Sequence, residues 1–509
     1  MAQINSPQSA SSSRLTLLLL FGAALYLVAN LFATPTTPYL LGGDQTFFWL
    51  GGQRMFYGER VYLDYLRFTP PGTDLFYCTV FKLFGPRVWA TNLVVLAIGL
   101  TFTWQCFSVA TKVMPRRPAV LATALFLVAI YCKSLSTTNH LFSALAIAFA
   151  LNIAITRITP ATISLAGAFL GLASFFNQAH GAAALLAFAL FLLLRNARPN
   201  TQPISLPKNL ALLFATYIVT VAILNAPFIA QTGLRQIWYF QVTYVTRYVT
   251  HFSQGSPLGL PDPITLRTLP KLSQYLAVYI ALPIVYLAGL VRCWRERNNS
   301  AFPWDRIALL AITGTMLLIE VAVNINWIRL YAIAFPGIIL LIWVLRESPH
   351  CPRPTFAILW LAILAFAAHQ THSNRATHPI RATFPGGRLA TSPLVYDKLA
   401  AISSHTHPGG PFFQAGWPGL YIPLQLRDPL YLTTVTYIEA PRPNDIDDTI
   451  HQLQSTPIPY ILWTATLDLN CPPNHPCQDQ LTSLRRYLQT SYTPIQTFSD
   501  GDTLLQRKN

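Results

Sequence analysis

Charge is scarce in this chain. Of its 509 residues, 11% are Asp, Glu, Lys or Arg and 52% are hydrophobic, whereas a soluble globular protein carries roughly 25% charged residues. That composition excludes an ordinary water-soluble globule and predicts a membrane protein. Acids are the scarcer sign: 19 Asp plus Glu stand against 35 Lys plus Arg, for a net charge of +16. The excess does not argue for nucleic acid. From Pro385 to Asn509 there are 8 basic and 10 acidic residues, so the positive balance belongs to the apolar part, whose cytoplasmic loops should be rich in Lys and Arg. Also missing are a phosphate-cradling Gly-rich loop, a standard zinc spacing and a nucleophile elbow, which argues against a nucleotide-using enzyme. No internal repeat stands out. Most of the seven cysteines lie in apolar segments and read as packing residues. Cys471 and Cys477 differ, flanking Pro-Pro-Asn-His-Pro, where an oxidising compartment permits a loop disulfide. A metal site using His475 would lack a standard zinc pattern, and no metal is assigned.

What the chain has in abundance is long apolar runs. About eleven are of the length that crosses a hydrocarbon core, near 15–33, 88–111, 119–133, 138–156, 161–177, 181–195, 209–229, 273–291, 306–323, 329–345 and 355–369. With the N-terminus inside, the cytoplasmic loops carry Lys112, Arg116, Arg117, Arg157, Arg195, Arg198, Lys208, Arg292, Arg295, Arg297, Arg306, Arg346 and Arg353, as the positive-inside rule demands. The expected fold class is mainly α: a polytopic membrane protein with a small external α/β domain. Residues 1–14 form a cytoplasmic tail and 15–370 the transmembrane domain, with external loops 34–87 and 230–272. Residues 371–384 read as a linker and 385–509 as the external domain. Short loops and this arrangement suggest a bacterial inner membrane with the last domain in the periplasm.

In that last domain Ser392 followed by Pro393 opens a helix to about Ser404. Short strands are expected at Phe412 to Ala415, Tyr460 to Thr464 and Pro494 to Phe498, separated by helical patterns near 444–455 and 478–490. The stretch GGDQTFFWLGGQRMFYGERVYLDYLRFTPPG, Gly42 to Gly72, follows the first apolar run. Gln45 to Tyr57 is spaced for a helix lying in the interface and stopping at Gly58. A second such helix runs from Thr73 to Phe84, closed by Gly85. Three acids in this stretch, Asp44, Glu59 and Asp64, need a reason. Asp44 either caps the helix that follows it or acts as a base against a hydroxyl or amine.

An Asp just after the first span, an aromatic run to YGERVYLDYLRFTPPG, and Phe84-Gly85 before the second span resemble the integral-membrane GT-C glycosyltransferases of the protein mannosyltransferase and aminoarabinose transferase type. The resemblance covers about 370 residues of membrane region. It implies transfer of a sugar from a polyprenyl-phosphate carrier to a lipid, glycan or protein acceptor on the outer face, with Asp44 as the catalytic base. One departure concerns the second acid: many relatives place it directly beside the first, and here Gln45 follows Asp44. The nearest other carboxylates are Glu59 and Asp64, so a metal held by two acids is put in doubt. The resemblance implies a polyprenyl-phosphate-linked sugar as donor; no cofactor is assigned, and a divalent metal stays open without a residue pattern to support it.

Polar side chains inside membrane segments are costly and mark function or pairing. Here they fall at the outer ends of the apolar runs: Lys133, Asn139, His140, Asn177, Gln178, His180, Glu320, Asn324, Asn326 and Arg329. A transport path should instead show polar residues through the whole depth. Lys133 and Arg329 suit a carrier phosphate, with Tyr331 as a further donor, though Lys133 could equally snorkel to the headgroups and Glu320 with Arg329 could be a structural ion pair. His140, Asn177, Gln178, His180 and Glu320 are candidates for the substrate pocket. In the second external loop Phe240, Tyr244, Tyr248 and Phe252 fall four apart, an aromatic stripe suited to the interface, with Arg247 as a further pocket candidate. The competing functional class is a transporter or lipid flippase for envelope glycoconjugates, which should show inverted repeats and broken helices.

Overall fold

A computed structural model describes residues 8–198, 205–249, 263–265, 268–322, 327–349, 351–352, 354–435, 442–456, 458–468 and 479–508. Two compact units interleave along the chain: Met1–Leu31, Val94–Asn225 and Ser256–Ser373 make one, and Phe32–Leu93, Ala226–Gly255 and Asn374–Asn509 the other.

The first unit is helical. Each apolar run read from the sequence overlaps a helix, and among the described residues six helices are long and apolar enough to cross a membrane: Arg14–Leu31, Val88–Val113, Gln178–Asn196, Leu206–Thr232, Ala277–Arg295 and Pro354–Thr377. Asn139–Ala154 and Pro160–Phe176 are shorter apolar helices. The run near 119–133 is interrupted, α-helix from Arg116 to Leu125 giving way to a π-helical stretch from Phe126 to Tyr131. Glycine sets the close approaches. A Cβ on Gly167 would lie 2.2 Å from Thr216 Oγ1 and 2.6 Å from the Leu213 carbonyl, and one on Gly171 2.8 Å from the Tyr217 carbonyl. The small-xxx-small pair Gly167 and Gly171 therefore seats the Pro160–Phe176 helix directly on the Leu206–Thr232 backbone.

Basic loop ends gather at one end of this unit. Arg195 Nε lies 3.0 Å from Asp305 Oδ2, Arg198 donates to the Arg297 and Asn299 carbonyls at 2.7 and 3.0 Å, and Arg306 donates to the Lys112 carbonyl. Lys112 in turn reaches the Asn152 carbonyl at 2.5 Å. The Asn139–Ala154 helix is about 24 Å long at 1.5 Å per residue. His140, at its start, thus stands at the end opposite the basic set.

The second unit mixes helix and sheet. Four strands run in the order Phe413–Ala415, Tyr460–Trp463, Thr503–Arg507, Tyr492–Thr497. The first pair is parallel and the others antiparallel. Helices Pro393–His405, Pro443–Ser455 and Thr482–Ser491 accompany them. Ser392 caps the first as its sequence signalled, accepting from the Val395 amide, with Pro393 in the first turn. The stretch 371–384 departs from the expected linker, carrying the end of the Pro354–Thr377 helix and the Ile380–Phe384 strand, which pairs antiparallel with Gly387–Thr391. Its alternating pattern Ile380, Ala382, Phe384 is a strand period that the neighbouring Pro and Gly obscure. Leu40 N donates to the Ala390 carbonyl at 2.8 Å, so the chain leaving the first apolar helix joins this hairpin.

Helices Gln45–Phe56 and Gly72–Phe84 also belong here. They end as expected, with Gly58 at φ +93° and Gly85 at φ +74° following Tyr57 and Phe84, the left-handed stops that glycine adopts without strain. Gly51 and Gly52 let the two helices touch. A Cβ on Gly52 would lie 2.5 Å from Tyr77 Cβ, and one on Gly51 would fall on the Arg67 and Asp74 side chains at 2.1 and 2.3 Å.

Candidate active site

The loop after the first apolar helix is organised around two arginines. Arg67 is fully buried. Its Nε donates to Asp74 Oδ2 at 2.8 Å, its Nη2 to the Phe47 carbonyl at 3.0 Å, and its guanidinium lies 3.6 Å from the Phe47 ring centroid. Tyr65 adds a hydroxyl donor to Asp74 Oδ2 at 3.2 Å. Burial pushes the Asp74 carboxyl up to about 6, although Arg67 pulls against it. Asp74 escaped the sequence reading; the signal available was an acid inside the apolar GTDLFYC helix with Arg67 one strand-length before it. Arg54 ties the rest of the loop together. It reaches Glu59 Oε2 at 2.5 Å, the Leu430 carbonyl at 2.6 Å and the Asp64 carbonyl at 3.0 Å, with Asp428 Oδ2 at 3.9 Å.

Three of the loop acids are thus bound to arginine. Glu59 is held by Arg54, with burial raising its carboxyl against that pull. Asp64 takes Arg60 through both carboxylate oxygens at 3.1 Å and the Arg60 amide at 2.7 Å, which lowers its carboxyl. Asp74 is held by Arg67. Asp44 differs in placement: it is half-buried at the position before Gln45, with φ −56° and ψ −25°, and its side chain makes no capping hydrogen bond to the helix. The capping reading of Asp44 is therefore not what its backbone adopts. Gln45 is buried and donates to the Gly42 carbonyl at 3.1 Å.

The Tyr239–Val249 stretch is π-helical and carries the aromatic stripe. Within the stripe Phe240 stacks on Tyr62 at 5.8 Å and 14°, and Tyr244 on Phe68 at 6.4 Å and 17°. Tyr62 is buried with φ +70°, a left-handed conformation that a tyrosine rarely adopts. Its hydroxyl donates to the Thr69 carbonyl and accepts from Gln241, both at 2.9 Å. Arg442 lies 5.5–5.7 Å from the rings of Tyr239, Tyr244 and Tyr248 and pairs with Asp445. Arg247 is exposed, and Phe252 lies outside the described residues.

Within the helical unit, four of the expected pocket residues meet. His140 Nδ1 and His180 Nε2 are 3.2 Å apart, Asn177 Nδ2 lies 3.0 Å from His140 Nδ1, and His180 Nε2 lies 3.2 Å from Glu320 Oε2. An Asn177 amide donating to His140 Nδ1 makes that nitrogen the acceptor, so the His140–His180 contact then needs the proton on His180 Nε2, while Glu320 Oε2, 3.2 Å from that nitrogen, has no hydrogen-bond partner among the described residues. Asn177 Oδ1 also caps the Gln178–Asn196 helix, accepting from the Ala179 and His180 amides at 3.1 and 3.2 Å. Arg329, half-buried on the Trp327–Glu347 helix, is within electrostatic reach of His140, His180 and Glu320. Gln178 is half-buried at its helix start and Lys133 is exposed. Asn324, Asn326, the Tyr331 side chain, Cys471 and Cys477 lie outside the described residues. Among the described residues no group of three or more His, Cys, Asp or Glu is arranged to hold a metal ion.

The fold has solved relatives of known kind. ArnT from Cupriavidus metallidurans, bound to undecaprenyl phosphate, matches with a TM-score of 0.57 at 13% identity, over 96% of this chain and 97% of that one. The oligosaccharyltransferase of Archaeoglobus fulgidus, in complex with Zn and sulfate, matches at 0.52 and 13% identity over 87% of this chain and 67% of that one. The chain has the GT-C fold. The apo form of the same oligosaccharyltransferase gives 0.51 at 12% identity, over 89% and 70%. No family model and no curated protein matches the sequence. At these identities the likeness to GT-C proteins is one of fold.

Proposed function

We propose that this chain is a membrane glycosyltransferase that moves a sugar from a polyprenyl-phosphate carrier to an acceptor on the outer face, with Asp44 as general base. The observation that carries the reading is the GT-C fold over 96% of the chain, shared with a protein bound to undecaprenyl phosphate. In this reading Asp44 takes the proton of the acceptor hydroxyl or amine as it attacks the anomeric carbon. The bond to the carrier phosphate breaks from the opposite face and the anomeric centre inverts. Phosphate is a good leaving group, so its departure needs charge stabilisation more than a strong acid. Arg329 and Lys133, with Tyr331, are assigned to the phosphate. The His140, Asn177, His180 and Glu320 set, joined by Gln178, supplies donors and acceptors for sugar hydroxyls, and Arg247 borders the lipid or sugar. Glu59 and Asp64, held by Arg54 and Arg60, support the loop.

The test is sugar transfer in membranes containing the full chain, offered a panel of labelled polyprenyl-phosphate sugars. Asp44→Asn should lower turnover about 10²- to 10⁴-fold, the range typical of losing a general base, with an unchanged melting profile. Glu59→Gln and Asp64→Asn should retain more activity wherever they fold. Full activity in Asp44→Asn would remove Asp44 from the chemistry, and intact donors across the panel with folded protein would remove the glycosyltransferase reading.

A further inference from the structure

At the basic end of the helical unit a groove of about 220 Å³ opens between the C-terminal ends of helices Gln178–Asn196 and Leu282–Arg295 and the start of Trp304–Val321. Its lining includes Arg198, Arg297, Trp294 and Trp304 together with the apolar Leu194, Leu290 and Ile312. Each guanidinium lies over an indole: Arg198 over Trp304 and Arg297 over Trp294, both 5.5 Å from the ring. Arg198 is further fixed by its bonds to the Arg297 and Asn299 carbonyls. Both helices also carry exposed apolar side chains: Leu186, Leu190 and Leu194 are 53%, 39% and 44% exposed on Gln178–Asn196, and Ile284 and Leu287 58% and 61% on Leu282–Arg295.

The charge around the groove is unbalanced. The neighbouring carboxylates are engaged elsewhere, Asp305 with Arg195 at 3.0 Å and Glu296 with Arg292 at 3.5 Å. Among the described residues neither Arg198 nor Arg297 forms an ion pair. Two positive groups, backed by aromatic rings that favour the headgroup zone, thus share a groove with apolar side chains. A second groove at basic helix ends has Arg117, Arg346, Phe356 and Trp360 in its lining, but there Arg346 lies 3.1 Å from Glu347, which neutralises part of its charge.

We propose that the first groove binds an anionic phospholipid of the surrounding bilayer, its phosphodiester between Arg198 and Arg297 and an acyl chain along Leu186, Leu190 and Leu287. A zwitterionic lipid would bring a quaternary amine against the same two cations, and a headgroup without chains would leave the apolar side chains uncovered. The site is separate from any sugar chemistry, and the catalytic reading can fail without it.

Delipidated full-length protein in mild detergent is titrated with phosphatidylglycerol, phosphatidylcholine and the deacylated headgroup glycerophosphoglycerol, with binding followed by native mass spectrometry. Phosphatidylglycerol should bind in preference to the other two. Arg297→Gln, at an exposed position, should weaken it about five-fold, from about 1 kcal/mol per basic side chain near an anionic surface. Arg297→Gln with Arg198→Gln should weaken it about 25-fold, and Arg346→Gln should leave it within about two-fold of the parent. Equal binding of phosphatidylcholine or of the deacylated headgroup overturns the proposal. So does unchanged affinity in Arg297→Gln, or a loss in Arg346→Gln as large as that in Arg297→Gln, which would assign the effect to general basic charge.

Discussion

Replacing Arg67 by Met tests how the loop carrying Asp44 is held. The Arg67 and Asp74 side chains are 0% and 1% exposed. Removing the guanidinium leaves the carboxylate with the Tyr65 hydroxyl at 3.2 Å, while Asp74 Oδ1 already has no hydrogen-bond partner. Breaking a buried pair in this way costs about 3–5 kcal/mol, and for a unit of this size each kcal/mol lowers the melting temperature by roughly 2–4 °C. The loss should depend on pH. Asp74 titrates near 3.8 when unfolded and at about 6 in the fold. Between those values the native state binds more protons than the unfolded state, so this carboxyl's contribution to stability falls as pH rises and levels off above about 6. Without Arg67 the native carboxyl rises further, and the window extends upward. At about pH 8 Arg67→Met should therefore show the full loss, roughly 10 °C. At about pH 5 Asp74 is protonated in the variant, and the loss should shrink to about 1–2 kcal/mol, that of neutral hydrogen bonds. Adding Asp74→Leu should recover most of the stability at the higher pH. Melting curves of the full chain in detergent at both pH values decide it. An equal loss at the two pH values, or a double variant no better than the single one, would refute the account of a buried, uncompensated charge.

Asp428 offers the same physics with the opposite outcome on substitution. Burial raises its carboxyl to about 7 and Arg54 is 3.9 Å away, so the charged form is the unfavourable one above that pH. Asp428→Asn, which keeps an acceptor for the Leu430 amide, should raise the melting temperature by a few degrees at about pH 8 and leave it unchanged at about pH 5; destabilisation at both would show that the Arg54 pairing outweighs burial. In the helical unit Gly167→Ala should lower stability by several kcal/mol, because its Cβ would stand 2.6 Å from the rigid Leu213 carbonyl, whereas Gly22→Ala, with nothing within 4 Å, should be neutral. Equal melting temperatures for the two would mean that the helix pair yields at no cost.

Features governed by local chemistry were legible in the sequence. Apolar run length located the helices, Ser392-Pro393 the start of its helix, and Gly58 and Gly85 the ends of the two helices between the first apolar runs. Elements whose stability comes from distant partners were harder to read. The strand Ile380–Phe384 exists because Gly387–Thr391 folds back on it, and Thr503–Arg507 because strands lie on both its sides. Neither run is long or apolar enough to announce itself. Of the candidate site, the meeting of His140, Asn177, His180 and Glu320 followed from one rule, that polar residues were clustered at the same helix ends. The Arg67–Asp74 pair left only a weak signal, an acid inside an apolar helix, because its members stand seven positions apart across a turn and the fold makes them neighbours.

The arginine-bound acids Glu59, Asp64 and Asp74 account for most of the carboxylates between the first two apolar runs. In the proposed function Asp44 is a general base, and such a group must be held within about half an ångström of its working position, which a loop alone does not do. Here the helix that follows Asp44 rests through Gly51 and Gly52 on a neighbour, and a buried polar pair whose geometry tolerates little slack fixes the contact between them. Apolar packing of the same volume would give equal or greater stability, but Leu against Leu permits sliding that Arg67 between Asp74 and the Phe47 carbonyl does not. On that reasoning, Arg67→Met with Asp74→Leu separates stability from function: the melting temperature returns toward that of the parent while sugar transfer stays low. Full recovery of both would leave the pair with no positioning role.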